Sequence, residues 1–490
     1  MTDAPAAALP DGLVTPVQER LLRVIYGPEA GAAERFRVWQ EGLDLTDLDD
    51  GCYRLYPQLY RRIRHLAPDH AFLGRMKGTF RRTFYRNQLL FRWALDVVDR
   101  LAAAGIDCLV LKGASLVTAT GLSAGLRPMA DVDLLVPTRD AERAIAVADP
   151  RFRVLLDDPD RTVAHVLLRH GYTVRDANRL EIDLHWRLAG VWASGADPDR
   201  PFWDEAETAV LQGRTIRVLA PTDLLFHLVV HGLPRNPAPA IRWIADSLEL
   251  LTTEGRRIDW GRLVALARRF RRSLLLARGL GYLRAIFDAA VPAGVVAELA
   301  AAGAADAVEQ AEFDVLTRGW TPPAHLAAAE TLTAAMLPIL AERLPGHGLV
   351  AHLTDASLRP SVLGWLRRLG ADFVCEFRPE SPITEAVRRQ LGSLDTGTDG
   401  TTRLFRFDVP EGALPVRHVY ADLRRLADGR PGLRVFCTSL RAWPRGAVVL
   451  RLDRADRLLR PNLVGARATM PTSALPIWPG FFAAGAFRAG

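Results

Sequence analysis

The chain has 490 residues, 49% of them hydrophobic and 24% charged, which are globular proportions at a length that predicts two or three domains rather than one core. No run of about 18 apolar residues is free of charge, and the start (MTDAPAAALPDG) has neither the basic opening nor the apolar core of a secretion signal, so a membrane span and an export leader are not expected. Cys52, Cys108, Cys375 and Cys437 are scattered, which argues against a zinc site or disulfide frame and fits reduced thiols in the cytoplasm; the formal net charge of +7 conceals strong local patterning.

Taken in chain order, residues 14–104 have apolar positions at helical spacing, in ERLLRVIYG, in FRVW and from Phe80 to Leu101, with Gly105 as the stop. CLVL (108–111) reads as a short strand, followed by a loop or short helix, and VDLLV (132–136) as a second strand ending at Pro137. Asp140–Val147 and Arg161–His170 read as helices. Tyr172–Arg175 and Leu180–Trp186 read as a hairpin around Asn178, and Thr215–Leu219 as a further strand. From Pro221 to Leu369 the pattern is helical, and Thr222 stands where it would cap DLLFHLVVHGL. LGSLDTGTDGTTR (391–403) has linker composition. After it, 403–409, 416–423, 433–439 and 446–452 alternate or are β-branched, predicting a small β-rich module, and the last 30 residues are rich in Pro, Gly and Ala.

The charge is concentrated in two segments. Residues 54–92 hold nine arginines and Lys77 against Asp69, and residues 256–278 hold eight arginines against Asp259. Two origins are open for such runs: solvated helix faces, or a polyanionic partner held by clustered cations. Of the 63 basic residues only Lys77 and Lys112 are lysines, so a lysine within a motif stands out.

Lys112 lies within LVLKGASLVTATGLSAGLRPMADVDLLV (109–136). A strand delivers Lys112 and Gly113 into a turn with Ser115, where small residues let a phosphate approach backbone amides and a hydroxyl. Asp131 and Asp133 alternate with Val132 and so project to one side of a strand. Two carboxylates facing one space repel unless a cation sits between them, and hard oxygen ligands suit Mg2+. Asp183, in LEIDLHW, supplies a third carboxylate on a strand able to pair with the Asp131–Val136 strand. Three such groups on adjacent strands can hold two metals about 3.5–4 Å apart for in-line attack at phosphorus. Arg127, four residues before Asp131, is the candidate for contacting a triphosphate or acceptor at the rim of the site.

This pattern, a Gly-x-Ser turn, then Asp-x-Asp, then a later strand Asp, resembles the polymerase-beta-type nucleotidyltransferase superfamily. The KG-x-S…R…DVDLLV run, IDLHW, LLFHLVVHG and RWIADSLELL together look like the uncharacterised bacterial nucleotidyltransferases, with the AbiEii-like toxins as relatives sharing a lysine–glycine turn. The resemblance covers about residues 80–365. It implies an α+β fold: a polymerase-beta-type core, a small mixed sheet with helices, set between helical flanking regions. In domains this gives a helical N-terminal region (1–104), the core (105–220), a helical domain (221–370), a linker (371–402) and the β-rich module (403–490). The resemblance implies transfer of a nucleoside monophosphate from an NTP to an acceptor hydroxyl or phosphate with release of pyrophosphate. Asp131, Asp133 and Asp183 are then the catalytic and metal-binding residues for two Mg2+ ions, with Mn2+ as the alternative. Lys112, Gly113, Ser115 and Arg127 are the nucleotide-binding residues. A small molecule, peptide or protein is the favoured acceptor; a toxin-like enzyme acting on tRNA and a catalytically inactive binding module are the alternatives. Two departures bear on the phosphate loop: Ala114 stands where many members have a second glycine, and the gap from Ser115 to Asp131 is long.

Four further residues have open roles. His185 shares the strand face of Asp183. His227 and His231, at i and i+4, share a helix face, with packing or contact with a base favoured over metal binding. For Asp246 a salt bridge to Arg242, four residues earlier, is the favoured account.

Overall fold

In this computed structural model the described residues are 13–149, 170–188, 197–233 and 241–318, followed by scattered positions and the segments 349–354, 372–377, 380–391, 403–408, 418–425, 431–438, 447–451 and 462–464. The helix expected at 161–170 and the last 30 residues lie almost wholly outside them. The chain divides into two compact units, Met1–Leu156 with His170–Gly319, and Asp157–Arg169 with Trp320–Gly490.

The first unit opens with α1 (Pro16–Tyr26), α2 (Ala32–Gln40), α3 (Asp50–Tyr53), α4 (Tyr56–Leu66) and the long α5 (Leu73–Ala103). α1 starts where Thr15 and Gln18 form a reciprocal capping box, satisfying amides that the first helical turn leaves orphaned. The sheet follows: β1 (Leu109–Val110), α6 (Lys112–Thr120), β2 (Asp131–Leu135), α7 (Ala141–Ala148), and the hairpin β3 (Gly171–Arg175) and β4 (Glu181–His185). α8 (Arg200–Asp204), β5 (Glu207–Leu211) and β6 (Arg214–Val218) complete it. Its order is β3-β4-β2-β1-β6-β5. β2 runs parallel to β4 and antiparallel to β1, and β6 runs parallel to β1, so the sheet is mixed. β5 was not anticipated: its burial alternates and Val210 is exposed, as suits an edge strand.

Helices α9 (Pro221–Gly232), α10 (Arg242–Glu254), α11 (Trp260–Arg269), α12 (Ser273–Phe287), α13 (Ala293–Ala304) and α14 (Ala307–Arg318) follow. α9 is buried along nearly its whole length, so its apolar residues pack all round rather than on one stripe. Thr222 does not cap it; the N-cap is Ala220, and the Thr222 hydroxyl instead accepts the Asp259 amide at 2.9 Å. The core of this unit runs from α1 (Leu21, Leu22) through the sheet (Leu109, Leu135) into α9 and α12 (Phe226, Leu280).

In the second unit, β7 (Leu349–Thr354), β8 (Asp372–Phe377), α15 (Pro382–Leu391), β9 (Arg403–Asp408), β10 (His418–Arg425), β11 (Pro431–Thr438), β12 (Ala447–Arg451) and β13 (Asn462–Val464) are described. The strands form one sheet, β13-β12-β7-β8-β11-β10-β9. The four runs expected to be strands after residue 403 coincide with β9 to β12. β7 lies in a stretch whose apolar spacing had read as helical, and β8 and α15 lie where a linker was expected. β7 pairs in parallel with both β12 and β8, and β8 also pairs with β11; such pairing between segments distant in the chain is not encoded in local spacing.

Candidate functional site

The site forms where β2 and β4 lie side by side. Their parallel register sets Asp133 opposite Asp183 and Asp131 opposite Glu181. Val132, Leu134, Ile182 and Leu184 are buried, so strand alternation turns the acidic residues to the other face. A carboxylate oxygen of Asp133, one of Asp183 and a ring nitrogen of His185 all lie within 4.8 Å of one another. His185 Nε2 is 2.9 Å from Asp133 Oδ1, and Thr173 Oγ1 on β3 donates to Asp183 Oδ1 at 2.6 Å.

Lys112, the first residue of α6, closes this cluster. The residue occupies the left-handed region (φ 45°), a conformation that costs a non-glycine residue about 1–3 kcal/mol and persists only where surroundings fix it. The fixing contact is visible: Lys112 Nζ donates to Asp133 Oδ1, and both side chains are nearly buried. Burial is the largest influence on the Asp133 carboxyl and favours the neutral form, yet Lys112 and His185 together hold it well below the ordinary carboxylate range. Asp131 is pushed the other way, first by burial and then by repulsion from Asp133 and Asp183, with Lys112 and Arg242 opposing. Asp131 therefore belongs to the electrostatics of the cluster, although its carboxylate is not among the three groups that converge.

Two nucleotide-binding expectations change in detail. Arg127 does not stand at the rim. It is buried and donates to both oxygens of Asp246, through Nε at 3.0 and 3.1 Å and Nη2 at 2.7 Å. This also corrects the partner of Asp246, since Arg242 instead donates to the Pro128 carbonyl at 2.9 Å. Gly113 is explained by the same arginine. A Cβ there would lie 1.9 Å from Arg127 Nη1 and 2.6 Å from Met129 Sδ, so only glycine leaves room for the guanidinium. Asn87 of α5 clamps the segment from outside, donating to the carbonyls of Ala124 and Arg127 at 2.6 and 2.8 Å. Ser115 is fully buried in the first turn of α6, and its hydroxyl has no partner among the described residues. α6 starts without a side-chain cap at Leu111.

The histidines of α9 join this neighbourhood. His227 is buried and its Nδ1 has no partner among the described residues. Burial, then Lys112 and His231, hold it well below the ordinary histidine range, and His231 is likewise drawn down to about 3. Their i, i+4 spacing was the legible signal; that α9 lies within electrostatic reach of Lys112, Asp133 and His185 was not.

The donor set tests what the cluster can hold. The carboxylates of Asp133 and Asp183 and the imidazole of His185, close enough to share one coordination shell, suit a single divalent cation. An imidazole donor is better matched to Mn2+ or another transition ion than to Mg2+, which prefers oxygen alone.

Residues 53–288, just under half of the chain, match the model of a family described as uncharacterised nucleotidyltransferase, which supports a nucleotidyltransferase family for this segment. Among solved structures, an antigenic nucleotidyltransferase-like protein from Paracoccidioides brasiliensis aligns at 15% identity over 43% of this chain and 95% of that one, with a TM-score of 0.25. No curated protein matches the chain significantly. Among the described residues no helix is long and apolar enough to cross a membrane.

Proposed function

We propose that the chain transfers a nucleoside monophosphate from an NTP to an acceptor hydroxyl or phosphate and releases pyrophosphate. One observation carries this reading: Asp133, Asp183 and His185 converge beside Lys112 within the segment matched by the nucleotidyltransferase family. Asp131, Asp133 and Asp183 are the proposed catalytic carboxylates in a polymerase-beta-type core, and His185 adds a nitrogen donor to them. A divalent cation held by Asp133, Asp183 and His185 would offset the charge of the triphosphate and of the attacking oxygen.

The chain's own groups do the rest. Lys112, Gly113 and Ser115, at the start of α6, are the groups proposed to receive the triphosphate, because the first amides of a helix without a side-chain cap favour an anion. Asp183 is half-exposed and already accepts a hydroxyl from Thr173, so it accepts the proton of an incoming acceptor hydroxyl. The acceptor oxygen then bonds the α-phosphorus as the bond to pyrophosphate breaks. Arg127 acts at one remove, holding Gly113 and the approach to Asp131 in place against Asp246. Kinship to the AbiEii-like enzymes rests on the lysine–glycine turn alone.

Incubating the full chain with each α-labelled NTP, Mg2+ or Mn2+ and cell extract tests the reading. Label transferred by the native chain and lost in Asp183→Asn is the expected result. Absence of both label and pyrophosphate under every condition would leave a nucleotide-binding module instead.

A further inference from the structure

The two basic segments have different fates in the fold. In the second, Arg257, Arg262, Arg268, Arg271 and Arg272 are each neutralised by an acid, from Glu207 to Glu312. In the first, Arg54, Arg61 and Arg62 are likewise paired, with Asp50, Glu249 and Glu29. From α5 onward the pairing stops. Lys77, Arg81, Arg82, Arg86 and Arg92 are exposed and form no ion pair among the described residues.

The same helix exposes apolar surface that its packing does not use. α5 buries Met76, Thr83, Asn87, Leu90, Ala94 and Val97 inward, while Tyr85 is 70% and Leu89 59% exposed on the outside. These residues line a groove of about 750 Å³ between α5 and the β3–β4 turn, with Arg82, Arg86, Arg92 and Trp93 on the helix side and Asn178 and Leu180 on the turn side. Two acids, Asp96 and Asp176, also line it; Asp96 is engaged by Arg214, and Asp176 is used by the turn's own amides. Both walls of the groove adjoin segments that carry the site. Arg86 donates to the carbonyls of Met129 and Ala130, the two residues before Asp131, and Leu180 immediately precedes β4, which carries Asp183.

We infer that this groove seats a single strand of nucleic acid, with bases stacked on Tyr85 and Trp93 and phosphates on Arg82, Arg86 and Arg92. Aromatic faces, Tyr85 exposed and Trp93 half-buried, interleaved with arginines that form no ion pair among the described residues, recognise an unstacked, phosphate-bridged chain: every base has a face to stack, and the backbone supplies the anions. An acidic peptide would meet the arginines but leave Tyr85 and Leu89 unused. The stripe from Arg82 to Asp96 is about 21 Å long at the helical rise, which suits several nucleotides rather than one. Only the consequence rests on the transfer reading above: a strand end lying past Asp131 is the acceptor.

The test uses the full chain and a fluorescein-labelled 12-residue oligouridylate, read by anisotropy between 50 and 200 mM salt. Three phosphate contacts predict a logarithmic salt slope of about −2, hence roughly twentyfold weaker binding across that range. Arg82→Glu with Arg92→Glu should weaken binding at least tenfold and flatten the slope, and Tyr85→Ala should weaken it roughly five- to hundredfold. All three are exposed positions, and thermal melts confirm folding. Salt-insensitive binding, or a double variant that binds like the native chain, overturns the inference. So does a Tyr85→Ala variant of native affinity whose probe polyglutamate displaces as well as RNA, since the patch is then generic charge. Pyrophosphate release with no oligonucleotide binding defeats the groove and leaves the transferase. Oligonucleotide binding with no pyrophosphate release from any NTP sustains the groove and defeats the transferase.

Discussion

Replacing Asp246 by asparagine tests whether Arg127 is a structural tie or a substrate contact. The pair is almost fully shielded, with side chains 4% and 3% exposed, and its two-pronged geometry joins α10 to the segment leading into Asp131. Asp246→Asn keeps the shape but leaves the guanidinium buried without its counter-charge. Breaking one side of such a pair costs about 3–5 kcal/mol, a shift of roughly a hundred- to several-thousandfold in the folding equilibrium. At about 2 °C per kcal/mol for a large domain, Tm should fall by roughly 6–10 °C. The double variant Arg127→Met, Asp246→Leu removes both charges from an apolar setting, so it should lose less than Asp246→Asn alone. Urea titrations of the native chain, Asp246→Asn, Arg127→Met, Asp246→Leu and the double variant, followed by far-UV circular dichroism, measure this. An Asp246→Asn loss below about 1 kcal/mol, or additive single effects, would refute the tie. A rise in KM for NTP in Arg127→Met at unchanged stability would restore the nucleotide-contact role.

Gly113→Ala forces a methyl group against the locked Arg127 and Met129, so an overpacking loss of about 1–3 kcal/mol is expected in the same titration. Asp133→Asn should abolish labelling and also destabilise the chain, because Lys112 loses its buried partner; Asp183→Asn, half-exposed and bonded to Thr173, should abolish labelling with a smaller stability loss, and equal losses would contradict the difference in burial. His227 is held neutral in the fold, whereas its ordinary value in the unfolded chain is 6.5, so its contribution is full above about pH 6.5 and declines as pH falls below that. The urea midpoint of the native chain should drop from pH 7 to pH 5.5 more steeply than that of His227→Gln, and parallel profiles would rule the histidine out.

Much of the site was legible along the chain because its rules are local. Alternation about Val132 and Ile182 sets the acids on one strand face, and the hairpin around Asn178 brings Asp183 back to the sheet; both follow from the two-residue period of a strand. Most helices up to α14 were legible through their apolar spacing, but α6 reads as either a loop or a short helix and the five-residue α8 was not anticipated. The roles of Arg127, Asp246 and Gly113 were not. Arg127 and Asp246 are 119 residues apart, and only the packing of α10 beside α6 decides that the arginine turns inward rather than toward a phosphate. The two basic segments look alike in composition, yet acids distant in the chain neutralise five of the eight arginines of the second, while Lys77, Arg81, Arg82, Arg86 and Arg92 of α5 form no ion pair among the described residues. β7 lies in a stretch whose spacing reads as helical and β8 in one that reads as a linker; their pairing with partners distant in the chain, which local spacing does not encode, made both strands. Sequence fixes which side chains share a local face; which distant charge meets them is decided by tertiary packing, because an ion pair depends on distance in space and carries no signature in spacing along the chain.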